Sequence, residues 1–381
     1  MRRSLAALAT AGLLATVLTG ALPASASPTH LPGGPCLQPN QNVSLSSVAG
    51  YDDVRQVLDR IERTSRGLVR VDSAGTSGEG RELLYATVGS GPMTFWLQAR
   101  IHGNELHSTE AVLQILDHLA SGSPEARLIR EKLTVVVIPM YNPDGSEANI
   151  RQSTTPNRVD LNRDWENFAQ PESAAFWRLW RQVAPELALD LHHMGQAPVV
   201  NGTDQLNQFQ IGARSIDPSR MTVEQWLTNR QMAMVSVDAL SRYGLANVAH
   251  YPLIDITNAV LSRMLMGGTA PAGEQPVAQT ATRGAIFYEV RSVGQKSNGQ
   301  LENLFRIPTM AVLRAAADGS LTSYDAPGTP TCRSPARGRA ARSDNADAAV
   351  GPGPAGPTAG ASGVPCVDLI PRATMHHSSR V

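Results

Sequence analysis

Apolar residues recur at helical spacing from Tyr51 to Ser65, where Val54, Val57, Leu58 and Ile61 fall on one side of a predicted helix. Beyond it the period shortens. Leu68–Val71 and Leu83–Val88 predict strands around the glycine-rich turn Gly75–Gly80, and Thr94–Ile101 predicts a third. After Glu105, the residues Leu106, Leu113, Leu116 and Leu119 describe a helix with one apolar face. The run Leu133–Ile138 is continuous and β-branched, as expected of a strand covered on both faces. Further along, the pattern predicts a helix over 172–183, a strand over 187–191, a helix over 223–243, a strand over 285–290 and a helix over 302–317. Strands alternating with helices imply an α/β fold with helices on both faces of one sheet, a three-layer α/β/α arrangement. In such sheets, sites form where strands end.

Both ends of the chain break the pattern. Met1-Arg2-Arg3, the apolar run Leu5–Leu22 and the small residues Ala24-Ser25-Ala26 have the order of a secretory signal peptide over residues 1–26. No later run reaches the roughly 18 apolar residues of a membrane span, so the mature protein is expected to be secreted, extracellular and free of the membrane. Residues 27–50 are a short extension, and 51–322 form one large domain. Residues 323–381 are dominated by Pro, Gly, Ala and Arg, as in Gly351–Pro357, and are expected to be a mostly disordered tail.

Composition changes this picture little. The 33 basic and 33 acidic residues balance, so the basic excess of a nucleic-acid or membrane-surface binder is missing. Cys36, Cys332 and Cys366 are too scattered for a metal cluster. In an oxidising exterior two of them can pair, and the spacing leaves open which.

Candidate chemistry lies at predicted strand ends. His102-Gly103-Asn104-Glu105 follows the third strand, and a His and a Glu three apart across a tight turn can face one point. His107-Ser-Thr-Glu110 matches the same spacing but lies in the following helix, where surface residues are the expected reading. Leu187–His193 offers a further ligand: Asp190 and His192 point to one side of the strand, and His193 to the other. Glu289 interrupts the apolar strand 285–290, a costly position for an acid unless it is paired or functional. Arg151 and Asp160-Leu-Asn162-Arg163-Asp164 follow the turn Asn142-Pro-Asp-Gly145. A guanidinium fork there can bind a carboxylate, or pair structurally with Asp160 or Asp164.

Taken in order, His102-x-x-Glu105, Asn142-Pro-Asp-Gly145, Asp160-Leu-Asn-Arg163, Asp190-Leu-His192 and Tyr288-Glu-Val-Arg291 resemble the zinc carboxypeptidases related to carboxypeptidase A. The resemblance spans about 50–320. It implies a central mixed, mostly buried twisted sheet and one Zn2+ held by His102, Glu105 and His192. Glu289 would be the general base, Asn162 and Arg163 would grip the substrate's terminal carboxylate, and Asp160 would orient His102. Arg151, or Arg158 in the same stretch, would stabilise the oxyanion. The implied activity is hydrolysis of the last peptide bond of peptides with a free C-terminus, by a monomer. A cell-wall stem-peptide amidase or peptidase, or a zinc-binding module without turnover, are the alternatives.

The chain departs from the digestive members of that family. The region 266–276 contains no Tyr to cover the substrate, and Asp164 stands where Asn often follows the Asn-Arg pair. Glu274 lies where relatives set side-chain specificity, and an acid there would favour a basic C-terminal residue; a solvated loop acid is the competing expectation.

Overall fold

The computed structural model describes residues 49–194, 208–244, 248–251, 255–291 and 297–324. The expected export signal, nearly all of the N-terminal extension and of the tail, and all three cysteines lie outside them.

Helix α1 (Tyr51–Thr64) buries the predicted stripe Val54, Leu58 and Ile61. Strands β1 (Val69–Thr76) and β2 (Glu82–Val88) pair antiparallel around the glycine-rich turn. Strand β3 (Met93–Ala99) leads through the His102 turn into α2 (Ser108–Leu119). The periodicity does not predict α3 (Pro124–Lys132), whose start signal is local: Ser123 accepts from the Ala126 N–H and Pro124 takes the first turn. Then come β4 (Leu133–Ile138), the short α4 (Pro143–Glu147), α5 (Pro171–Val183) and β5 (Leu187–Met194). The second half adds β6 (Phe209–Gly212), α6 (Val223–Arg242), β7 (Val248–His250), α7 (Val260–Met266), β8 (Gly284–Arg291) and α8 (Asn298–Asp318). Helix α8 begins at Asn298 rather than 302 because the Ser297 side chain caps it, accepting from the Gln300 N–H.

The eight strands among the described residues form one mixed sheet in the order β1-β2-β4-β3-β5-β8-β6-β7. The middle, β4-β3-β5-β8, is parallel, with antiparallel pairs on either side. Alternation along the central strands separates two cores. Phe95, Leu97, Leu189, Leu191, Ile286 and Val290 face the layer of α1, α2, α6 and α8. Trp96, Ala188, Ala285 and Phe287 face the other layer, built on α5, α7, Trp165 and Tyr141. Asp190, His192 and Glu289 share that second face by alternation. Because β3, β5 and β8 run in one direction, their C-terminal ends bring His102, His192 and Glu289 to one edge of the sheet.

Two glycines fix that edge. A Cβ on Gly103 would overlap the backbone of Gly145 and Ser146, so the His102 turn and the Asn142–Gly145 turn meet backbone to backbone. Close approach, rather than a left-handed backbone, is therefore what position 103 requires. The left-handed residues here are Arg100 (φ 54°) and His107 (φ 71°).

Candidate active site

His102, Glu105 and His192 are all buried, and one ligand atom from each lies within 4.8 Å of the others. The two Nδ1 atoms are 3.2 Å apart. Glu105 Oε1 lies 2.7 Å from His102 Nδ1, and its Oε2 lies 2.9 Å from His192 Nδ1. Each imidazole has a carboxylate on its other nitrogen: Asp160 Oδ1 at 3.1 Å from His102 Nε2, and Asp190 Oδ2 at 2.7 Å from His192 Nε2. A carboxylate on Nε2 fixes the proton there, leaving both Nδ1 lone pairs aimed at one point. Two nitrogens bound to one tetrahedral zinc at about 2.0–2.1 Å would lie roughly 3.3–3.4 Å apart. The donor set, the spacing and the carboxylate-backed imidazoles all fit that ion.

The electrostatics agree. Burial penalises a charged imidazole at both histidines, yet Glu105 with Asp160, or Asp190 with Glu105, outweighs it and raises both pKa values. Burial would likewise raise the Glu105 carboxyl, but the two imidazoles hold it well below the ordinary range. The pocket favours positive charge between these groups.

Glu289 is partly buried beside this cluster. Burial foremost, with Glu105 adding, pushes its carboxyl up to about 7 against the pull of His192, His102 and Arg151. Arg151 donates from Nη1 to Glu105 Oε1 at 3.1 Å, and from Nε and Nη2 to Asp160 Oδ2 at 3.3 and 3.2 Å. Burial opposes ionisation of Asp160, but His102, Arg151 and Arg163 together hold it well below the usual carboxylate range. Arg158, the other cation of this stretch, is exposed and does not line the cleft.

Asn162 and Arg163 sit on a single 3-10 turn, Leu161–Arg163, capped by Asp160, whose Oδ1 accepts from the Asn162 N–H. Arg163 makes no ion pair with a carboxylate among the described residues; its Nη1 donates to the Asn162 carbonyl at 2.7 Å. Asp164, the alternative partner, is buried and accepts from the Ala169 and Gln170 N–H groups, both at 2.9 Å. The Arg163 guanidinium is thus left facing the cleft that Asn162, Arg151 and Glu289 also line. Asn142 joins the parts: its amide donates to the Gln152 carbonyl at 3.1 Å and accepts from the Gly145 N–H at 2.9 Å.

One expectation is corrected. His107 and Glu110 are not surface residues of an amphipathic helix. His107 precedes the helix, is buried, and contacts Asn298 at 3.1 Å, while Glu110 accepts from the Ala49 N–H at 2.6 Å. Both therefore serve packing. Glu274 follows the loop-acid reading: it pairs with Arg178 at 2.6 Å and does not line the cleft. His193 faces away as its strand position requires, packing on Phe305 and His107, with burial foremost lowering its pKa to about 3. Its backbone N–H nonetheless donates to Glu105 Oε2 at 3.1 Å.

Sequence reasoning missed the other wall of the cleft: Ser215, Tyr251, Ile256, Ala259, Leu261 and Phe287. Only Phe287 lies on a predicted element.

The sequence profile of the zinc carboxypeptidases matches residues 54–257. Among curated proteins, Carboxypeptidase 2 of Trichophyton rubrum is 28% identical over 145 residues, covering 35% of this chain and 27% of the fungal one. A carboxypeptidase of Arabidopsis thaliana is 27% identical over 192 residues, covering 44% and 38%. The chain thus spans about a quarter of the length of the fungal relative it matches. Among solved structures, a metallo-carboxypeptidase from Burkholderia cenocepacia superposes with a TM-score of 0.54 at 17% identity, covering 71% of this chain and 69% of that one. Carboxypeptidase A from Helicoverpa armigera gives 0.53 at 18% identity, covering 73% and 76%. These structural likenesses establish the fold.

Proposed function

The chain belongs to the zinc carboxypeptidase family, and from that premise we propose that it is an exported metallocarboxypeptidase, hydrolysing the last bond of peptides with a free C-terminus. One observation carries the proposal: His102, His192, Asn162, Arg163 and Glu289 line a single cleft. His102, Glu105 and His192 would hold Zn2+, which when bound polarises a carbonyl and brings the pKa of a water molecule towards neutrality. Glu289 is the general base: it takes a proton from the attacking water and returns it to the leaving amine nitrogen. A carboxyl pushed up to about 7 suits both halves of that exchange.

Arg163 and Asn162 bind the terminal carboxylate through guanidinium and amide N–H groups, which restricts cleavage to the chain end. Arg151, held by Asp160 beside Glu105, stabilises negative charge on the attacked carbonyl oxygen. Asp160 and Asp190 orient the two imidazoles. The convergence of base, anchor and ligand set on one cleft favours turnover over a purely zinc-holding role.

Metal analysis of the exported protein should give one zinc per chain, and its N-terminus should begin near Ser27. Free-acid peptides should be cut at least about 100-fold faster than their C-terminal amides, the scale lost with a charge-assisted carboxylate anchor. Equal cleavage of the amides would remove Asn162 and Arg163 from the anchor, and no cleavage by zinc-loaded protein would overturn the hydrolase.

A further inference from the structure

Opposite the polar wall, the cleft is lined by Tyr251, Ile256, Ala259, Leu261 and Phe287, with Ser215 beside them. One hydrogen bond joins this apolar wall to the carboxylate anchor, and a second ties Ile256 to Ser215 within it. The Val260 N–H donates to Asn162 Oδ1 at 3.1 Å, so the turn carrying Arg163 is joined to the helix carrying Leu261. The Ile256 N–H donates to the Ser215 carbonyl at 3.2 Å. Phe287 forms the floor: its ring meets Tyr251 edge-on, 4.9 Å between centroids, over Gly212, where a Cβ would overlap it. A terminal residue whose carboxylate sits on Asn162 and Arg163 therefore has its side chain within one residue's reach of these groups.

Charge on this wall decides what can enter. Among the described residues that line the cleft, the carboxylates are Asp190 and Glu289. Asp190 is buried against His192 at 2.7 Å, and Glu289 is the base. Asp255, next to Ile256, is exposed and accepts from the Asp217 N–H at 3.0 Å. Glu274 is spent on Arg178. A lysine or arginine side chain would enter beside Arg163 with no acid among the described residues left to meet it, and an aspartate would find Arg163 taken by the terminal carboxylate and the facing wall apolar; either loses its hydration uncompensated. An apolar side chain loses only unfavourable contact with water.

Resting on the carboxypeptidase reading, we infer that the chain selects peptides ending in an aliphatic or aromatic residue, and that Ile256, Leu261 and Phe287 set this choice. The test uses the full-length zinc-loaded protein and N-blocked tripeptides differing only in the last residue: Leu, Phe, Lys, Arg or Asp. The expected kcat/KM for Leu or Phe exceeds that for the charged residues by about 100-fold or more. Similar values, or a preference for a charged end, overturn the inference and leave the hydrolase standing. Calorimetric binding of the same peptides to the zinc-loaded Glu289→Gln protein reads selection without turnover. Tighter binding of Leu- and Phe-ended peptides supports the inference even where wild type cuts nothing, an outcome that sinks the hydrolase alone; equal binding overturns it. Ile256→Asp, at a half-buried position, should raise kcat/KM for the Lys-ended peptide at least about tenfold and lower it for Leu. An unchanged profile removes Ile256 from the choice.

Discussion

His192 and Glu289 are register partners across the parallel pair β5–β8, so an imidazole and a carboxylate stand side by side on one face of the sheet. Neither sits on a flexible loop. Each is held on a ladder strand in the middle of the sheet, where a site is positioned more tightly than loops allow. The same burial that raises the Glu289 carboxyl to about 7 makes it a competent proton carrier near neutral pH.

Replacing that carboxyl should separate chemistry from metal binding. Glu289→Gln keeps the shape and the strand, so zinc content and unfolding midpoint should match wild type. Peptide kcat/KM should fall by about 10²- to 10⁴-fold, the usual contribution of a general base. A variant that turns over at near-normal rate takes Glu289 out of the mechanism.

Asp190 tests the support beneath the ligands. Its Oδ2 accepts from His192 Nε2 at 2.7 Å, fixing which nitrogen offers a lone pair. Asp190→Asn can present an N–H there and favour the wrong tautomer. Zinc affinity, measured by competition with a chelator, should weaken by about 10- to 100-fold with the fold intact by circular dichroism. Unaltered affinity means the tautomer is fixed by other contacts.

How much of this was legible before folding depended on the range of the interaction. Period-two alternation placed Asp190 and His192 on one face and His193 on the other, and the β-branched run Leu133–Ile138 announced a central strand. Those are local facts, set by where successive Cβ atoms point. The short β6, β7 and α7 carry too few residues to establish a period, and most of the apolar wall (Tyr251, Ile256, Ala259 and Leu261) comes from α7 and the stretch between β7 and α7. His107 misled for a related reason. Its burial comes from Asn298 and His193, partners far away in sequence.

Gly103 makes a prediction of its own. With no room for a Cβ against Gly145 and Ser146, Gly103→Ala must push the His102 turn away from the Asn142–Gly145 turn. We expect a stability loss of about 1–3 kcal/mol by urea unfolding, as for other overpacked sites. Zinc affinity should fall in parallel, since His102 and Glu105 flank the displaced residue. Lost stability with unchanged zinc affinity would show that the two ligands ride on the turn as a rigid unit.

The clearest pH signature should come from Glu172, which belongs neither to the ligand set nor to the lining of the cleft. It is fully buried in the first turn of α5, where Oε1 accepts from the Gly78 N–H at 3.1 Å and Oε2 has no partner among the described residues. Burial foremost, with Asp144 and Asp164 adding, raises its pKa from 4.5 to about 7. An acid with a raised folded-state pKa holds its proton more tightly when folded. Its contribution is therefore fully present below about pH 4.5, declines between 4.5 and 7, and is lost once the pH passes 7. At 1.36 kcal/mol per pKa unit the loss amounts to about 3 kcal/mol. Glu172→Gln, which mimics the protonated form, should match wild type at pH 4.5 and exceed its unfolding free energy by up to about 3 kcal/mol at pH 8. Urea unfolding at the two pH values decides it: if the gap between variant and wild type does not open with pH, Glu172 does not titrate in this window.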